Sequence, residues 1–147
     1  MTTGTALADD TLIQNIDKMV GDKEISSDIV AQIGDGDYTP INFKAFRYIT
    51  NIVSIFELAD IIISSCGAGT IFEVLELRKP LIVIQNPKII GGHEWELVKK
   101  LEDLNLLFWC KNYRELPSLI EKAKNHKFSK MSFKPFDYKE FNKLVGL

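Results

Sequence analysis

The sequence predicts one α/β domain, a Rossmann-like parallel sheet with helices on both faces. Three observations carry that expectation. Short runs rich in Ile and Val alternate with helix-length amphipathic segments. Two of those runs, Asp60 to Ser64 and Pro80 to Gln85, are apolar nearly throughout, as strands covered on both faces of a parallel sheet are. The length of 147 residues, 46% of them hydrophobic, supports one core and would cramp two full domains.

The elements follow in order. Met1 to Thr3 leave room only for a very short first strand before Gly4-Thr5. Asp9 to Val20 read as a helix, with Leu12, Ile13, Ile16, Met19 and Val20 on one face. Asp28 to Gly34, Lys44 to Thr50 and Asp60 to Ser64 read as strands. Thr70 to Leu77 form a helix through Ile71, Val74, Leu75 and Leu77, and Pro80 to Gln85 the next strand. His93 to Leu104 are helical through Leu97, Val98, Leu101 and Leu104. Leu106 to Cys110 are a strand, and Leu116 to Lys124 and Tyr138 to Val145 are helices. The single domain spans 1–147, with 127–147 as an irregular segment plus a C-terminal helix.

Composition excludes several classes. The formal net charge is −2, without the basic excess that nucleic-acid binders show. Cys66 and Cys110 form no C-x-x-C pair, which argues against a zinc ribbon or disulfide scaffold and fits a reducing compartment. No run approaches the roughly 18 apolar residues of a membrane helix, and the N-terminus lacks the basic and apolar regions of a secretory signal. A cytosolic domain is expected, reaching a membrane only through a surface or a partner.

The strongest chemical signal is Ser64-Ser65-Cys66-Gly67-Ala68-Gly69-Thr70-Ile71-Phe72-Glu73. A buried strand ends, a turn of small residues follows, and a helix begins. Such a turn at the C-terminal edge of a parallel sheet lets backbone N–H groups approach an anion, aided by the helix dipole. Glu73, one turn into the helix, is placed to accept from a sugar hydroxyl. The same residues also read as a tight connection in which Thr70 and Glu73 make a capping pair. Gly4-Thr5 and Gly34-Asp35-Gly36-Asp37 are two further turns expected along that edge, where ligands of open α/β sheets bind. Gly91-Gly92-His93-Glu94 opens another helix there, so His93 and Glu94 face either a ligand or only the positive helix end. Neither G-x-G-x-x-G nor the P-loop pattern occurs. The spacing of His93 and His126 gives no metal site. Cys66 as a nucleophile served by His93 is disfavoured against a small packed side chain.

The order of these features resembles the glycosyltransferase family 28 C-terminal domain over nearly the whole chain. Within it the chain is similar to the small soluble subunits of two-subunit N-acetylglucosaminyltransferases acting on dolichol-linked chitobiose, and to bacterial exopolysaccharide counterparts. Thr3-Gly4-Thr5, Gln32-Ile33-Gly34, Ala59 to Glu73, Lys79 to Val83 and His93-Glu94-Trp95-Glu96-Leu97 carry the resemblance. The family's motif histidine is Ser65 here, its alanine is Cys66, and its glutamine after His93 is Glu94.

The resemblance implies the donor-binding half of a GT-B glycosyltransferase. It implies a UDP-sugar as substrate, with N-acetylglucosamine as the sugar, no cofactor and no metal. The acceptor would be a lipid-diphosphate-linked saccharide, presented by a membrane-anchored acceptor-binding subunit. Donor-binding residues would be Gly4, Thr5, Ser65, Gly67, Ala68, Gly69, Thr70, Glu73, His93 and Glu94, with the catalytic base on the partner. The competing reading is a non-catalytic module that stabilises or recruits a membrane subunit.

Overall fold

The computed structural model describes residues 1–3, 8–65, 67–85 and 93–132, with only the backbone at His93. Its strands are β1 (Val30–Gln32), β2 (Lys44–Phe46), β3 (Ile62–Ser64), β4 (Leu81–Ile84) and β5 (Phe108–Cys110). Its helices are α1 (Asp10–Gly21), α2 (Ile52–Leu58), α3 (Ala68–Glu76), α4 (His93–Asp103) and α5 (Leu116–Asn125), with a 3-10 turn at Tyr113–Glu115.

All strand pairs are parallel. β1 pairs with β2, and β4 lies between β3 and β5. The two groups are joined by the N-terminal stub, because Thr2 bridges Gln32 on one side and Ser64 on the other. The Thr2 N–H donates to the Ile63 carbonyl at 2.9 Å, and the Gln32 N–H donates to the Met1 carbonyl at 3.0 Å. The spatial order is therefore β2-β1-stub-β3-β4-β5. With the stub counted first, this is the doubly wound 3-2-1-4-5-6 arrangement.

Side chains alternate through the sheet into two layers, as a strand period of two requires. Ile63, Ile82, Ile84, Phe108 and Cys110 pack with Leu12 and Ile16 of α1 and Leu116 and Ile120 of α5. Ile62, Leu81 and Val83 face the other way, against Phe56 of α2, Ile71 and Val74 of α3, and Val98 and Leu101 of α4. Every residue of β4 is buried, which explains why its sequence does not alternate. The sheet is thus covered by helices on both faces, as the sequence predicts.

Two local readings change. The strand expected over Lys44 to Thr50 stops at Phe46. The next segment, which the sequence analysis leaves unassigned, is α2. Its residues Ile52, Val53 and Ile55 are β-branched and weak in helices. The helix forms because the Asn51 side chain accepts from the Ser54 N–H at 3.3 Å and because Phe56 is buried in the core. At its other end the Lys79 ammonium donates to the carbonyls of Glu57 and Ala59, at 2.7 and 3.0 Å. The expected helix at Tyr138 to Val145 lies outside the described residues. The part of the expected irregular segment that is described, 127–132, has no regular structure.

Candidate functional site

In an open α/β sheet a ligand sits outside the carboxyl ends of the strands, where the strand order reverses. Here the chain runs from the stub to β1 and β2 on one side, and later enters β3 on the other. The reversal point lies between the stub and β3. The Ser65–Thr70 turn leaves β3 at this point.

The turn leads directly into α3. Gly67 is the N-cap and has no side chain with which to cap the helix. The leading N–H groups of any α-helix lack intrahelical acceptors, so this helix presents uncapped donors and the positive end of its dipole. A Cβ built at Gly67 or at Gly69 would meet no atom within 4 Å. Packing among the described residues therefore does not require glycine at either place. Glycine inside a helix costs up to about 1 kcal/mol relative to Ala. At Gly67 the backbone itself calls for glycine, since its φ is 158°, whereas at Gly69 the missing side chain leaves backbone that a ligand can approach closely. Ala68, Gly69 and Glu73 are exposed, and Thr70 is half-buried. Glu73 lies three and four residues beyond Thr70 and Gly69, hence on the same helix face.

Ser65 differs from its neighbours. It is 1% exposed, its N–H donates to the Thr2 carbonyl at 3.2 Å, and its hydroxyl donates to the Thr3 carbonyl at 3.1 Å. Its side chain ties the two strands flanking the reversal point. Glu94 stands in the first turn of α4. Its Oε2 is buried and accepts no hydrogen bond among the described residues. A buried carboxylate oxygen without a donor is costly, so Glu94 is a ready acceptor. His93 begins α4. Gly4, Thr5, Cys66 and the side chain of His93 lie outside what is described.

The neighbouring turn after β1 is built for rigidity. Gly34 has φ of 62°, a left-handed value that favours glycine. The Arg47 guanidinium donates to the carbonyls of Gly34 and Gly36, and Asp10 of α1 accepts from the N–H groups of Asp37 and Tyr38. Gln32 of β1 links the stub to the segment that follows β2. Its amide donates to the Thr2 hydroxyl at 3.5 Å, and its carbonyl oxygen accepts from the Ile49 N–H at 3.3 Å. Because β2 ends early, Tyr48 and Ile49 lie beyond its carboxyl end, 45% and 40% exposed. The sequence analysis places both inside a strand and so does not single them out. The missed signal is the arginine at 47, which turns back to the glycine loop. Asp35 accepts from the Tyr48 hydroxyl, and this hydrogen bond raises the phenol above its ordinary value.

Comparisons with known proteins bear on the family and the fold. The chain is 35% identical over 106 residues to a UDP-N-acetylglucosamine transferase subunit ALG13 of Candida albicans, covering 72% of this chain and 34% of that protein. It is 36% identical over 89 residues to the mouse protein of the same name, covering 56% of this chain and 8% of that one. The chain thus spans about a third of the first relative and under a tenth of the second. Among solved structures, MurG of Acinetobacter baumannii superimposes with a TM-score of 0.64 at 19% identity, over 84% of this chain and 40% of that one. An NMR structure of ALG13 gives 0.60 at 17% identity, over 98% and 92%. At those identities the structures speak to the fold alone. The description of the glycosyltransferase family 28 C-terminal domain fits residues 1–143, which takes in both strands at the reversal point, the glycine turn, α3 and α4. The chain belongs to the glycosyltransferase family 28 C-terminal domain family.

Proposed function

We propose that this chain is the donor-binding half of a two-part GT-B glycosyltransferase. It holds a UDP-sugar, with N-acetylglucosamine as the sugar, for transfer to a lipid-diphosphate-linked saccharide on a membrane-anchored partner subunit. The observation that carries this reading is the uncapped α3 N-terminus behind two glycines whose missing side chains no described atom replaces. The names of the relatives supply the sugar nucleotide and the word subunit. No described helix is long and apolar enough to cross a membrane.

In this reading the diphosphate rests on the N–H groups of Ala68, Gly69 and Thr70, and Gly67 keeps the approach open. Glu73 accepts from the ribose hydroxyls, and Glu94, beside His93, accepts from a hydroxyl of the donor sugar. Gly4 and Thr5 line the cleft towards the partner. The acceptor hydroxyl oxygen attacks the anomeric carbon as the bond to the diphosphate oxygen breaks. The leaving UDP takes the bonding electrons, and a base on the partner takes the acceptor proton. The configuration inverts. Helix and backbone donors stabilise the charge that grows on the diphosphate. Ser65 positions the turn, since its hydroxyl proton is already used.

The test is a titration of the chain with UDP, followed by NMR and calorimetry. Saturable binding should perturb Gly67 to Glu73, and Glu73→Ala should remove it without unfolding the protein, because Glu73 is exposed. Absence of saturable binding at millimolar UDP, with partner binding retained, leaves the recruiting module instead. Full-rate sugar transfer by the isolated chain overturns the split-enzyme reading.

A further inference from the structure

We infer that Trp109 is a positioning residue that fixes the first turn of α4 and thereby sets recognition of the donor sugar, as distinct from the nucleotide. The inference rests on the donor-half reading above. Trp109 belongs to β5 and sits opposite Val83 in the parallel register, so its backbone is part of the sheet. From there it holds α4 at both ends. Its indole stacks on that of Trp95, with the rings 2° from parallel and their centroids 6.0 Å apart. Its backbone N–H donates to Oε1 of Glu102, in the last turn of α4, at 2.9 Å. The Lys111 ammonium lies 4.4 Å from the centroid of the same indole. Both tryptophans pack against the core layer formed by Val98, Leu101 and Leu107.

The first turn of a helix has the fewest backbone bonds to hold it and is where fraying starts. In α4 that turn carries His93 and Glu94. Trp95 is the next residue, so the stack on Trp109 restrains the segment that carries the Glu94 oxygen left without a partner among the described residues. The diphosphate turn belongs to α3, a different helix. Loosening α4 should therefore affect the sugar while sparing UDP. A purely structural role for Trp109 would weaken both ligands alike.

The chain contains two tryptophans, and they are stacked on each other. Intrinsic tryptophan emission thus comes from this pair alone. In the intact chain, UDP-N-acetylglucosamine should shift the emission and UDP should leave it nearly unchanged. Trp109→Ala should speed amide hydrogen exchange at 97–100, whose N–H groups bond to the first-turn carbonyls of 93–96, in the ligand-free protein while sparing 72–76. It should raise the calorimetric Kd for UDP-N-acetylglucosamine about three- to tenfold, the scale of one aromatic pair, and that for UDP less than about twofold. Trp109→Phe should recover most of the loss. If Trp109→Ala lowers the folded fraction, Trp95→Ala opens the same stack from the helix side and should show the same selectivity. Unchanged exchange at 97–100, equal weakening of both ligands, or a phenylalanine variant no better than alanine overturns the inference. A wild-type chain that binds neither ligand overturns the donor-half reading, and with it the part assigned to sugar recognition. The exchange experiment still decides the clamp on its own.

Discussion

The Ser65 hydroxyl donates to the Thr3 carbonyl at 3.1 Å, across 62 residues of sequence, at the place where the strand order reverses. The contact closes the seam between the stub and β3 directly beneath the glycine turn. It also defines what a serine does at this motif position. A side chain with one hydroxyl proton, already committed and 1% exposed, sets where the turn begins and has no proton left for a ligand.

Ser65→Ala should therefore act on stability more than on ligand contact. It leaves the Thr3 carbonyl without this donor, which costs about 1–2 kcal/mol for a buried acceptor. Urea denaturation should show that loss, and the Kd for UDP should change by less than about threefold. A variant of unchanged stability that no longer binds UDP would place the Ser65 hydroxyl on the ligand instead.

Gly69→Ala should move stability and binding in opposite directions. Helix propensity favours alanine over glycine by up to about 1 kcal/mol. A Cβ there meets no atom within 4 Å, so nothing described opposes that gain. The same methyl group occupies the space a diphosphate would use. A thermal melt should show equal or higher stability, and calorimetry should show UDP binding weakened about tenfold or more. Stabilisation with unchanged binding would remove the turn from the donor site.

The fold was legible where one element carried its own pattern. The continuous apolar runs at β3 and β4, and the apolar face of α1, appear in the structure within a few residues of their expected bounds. Thr2 also holds the sheet's centre with as little chain as the sequence suggested. Legibility failed where the tertiary setting decided. Ile52, Val53 and Ile55 look like strand, and only the Asn51 cap and the burial of Phe56 make α2 a helix. The glycine turn of the candidate site was visible because glycines at a strand-to-helix junction are local. The Ser65–Thr3 bond and the Trp95–Trp109 stack join distant segments, and no periodicity announces them.

Cys110 should stay unreactive while the protein is folded. Burial in the core pushes its thiol up, the nearby Glu115 charge adds to the effect, and the value reaches about 11. At pH 8 almost none is thiolate, and the thiolate is the reactive form. Mass-spectrometric mapping after iodoacetamide treatment at that pH should find Cys110 unmodified in native protein and alkylated in urea. Rapid labelling of the native chain at Cys110 would contradict the packing of β5.

Asp17 on α1 should make the fold sensitive to acid. It is 2% exposed and accepts from the Tyr38 hydroxyl and the Asn42 N–H, both at 2.7 Å, and from the Ile41 N–H at 3.1 Å. Burial by itself raises the carboxyl, but the Tyr38, Asn42 and Ile41 donors outweigh it and hold Asp17 below the ordinary carboxylate range. The unfolded chain then takes up a proton at this residue before the folded one does. Its stabilising contribution is complete above the unfolded value near pH 4, and is lost as pH falls through the lower folded value. Asp17→Asn should cost about 2 kcal/mol at pH 7, the scale of charge-assisted hydrogen bonds. The gap to wild type should narrow as the pH drops below about 4. Chemical denaturation at about pH 7, 5 and 3 reads both effects. A constant gap across that range would mean that Asp17 holds the 37–42 loop by shape rather than by charge.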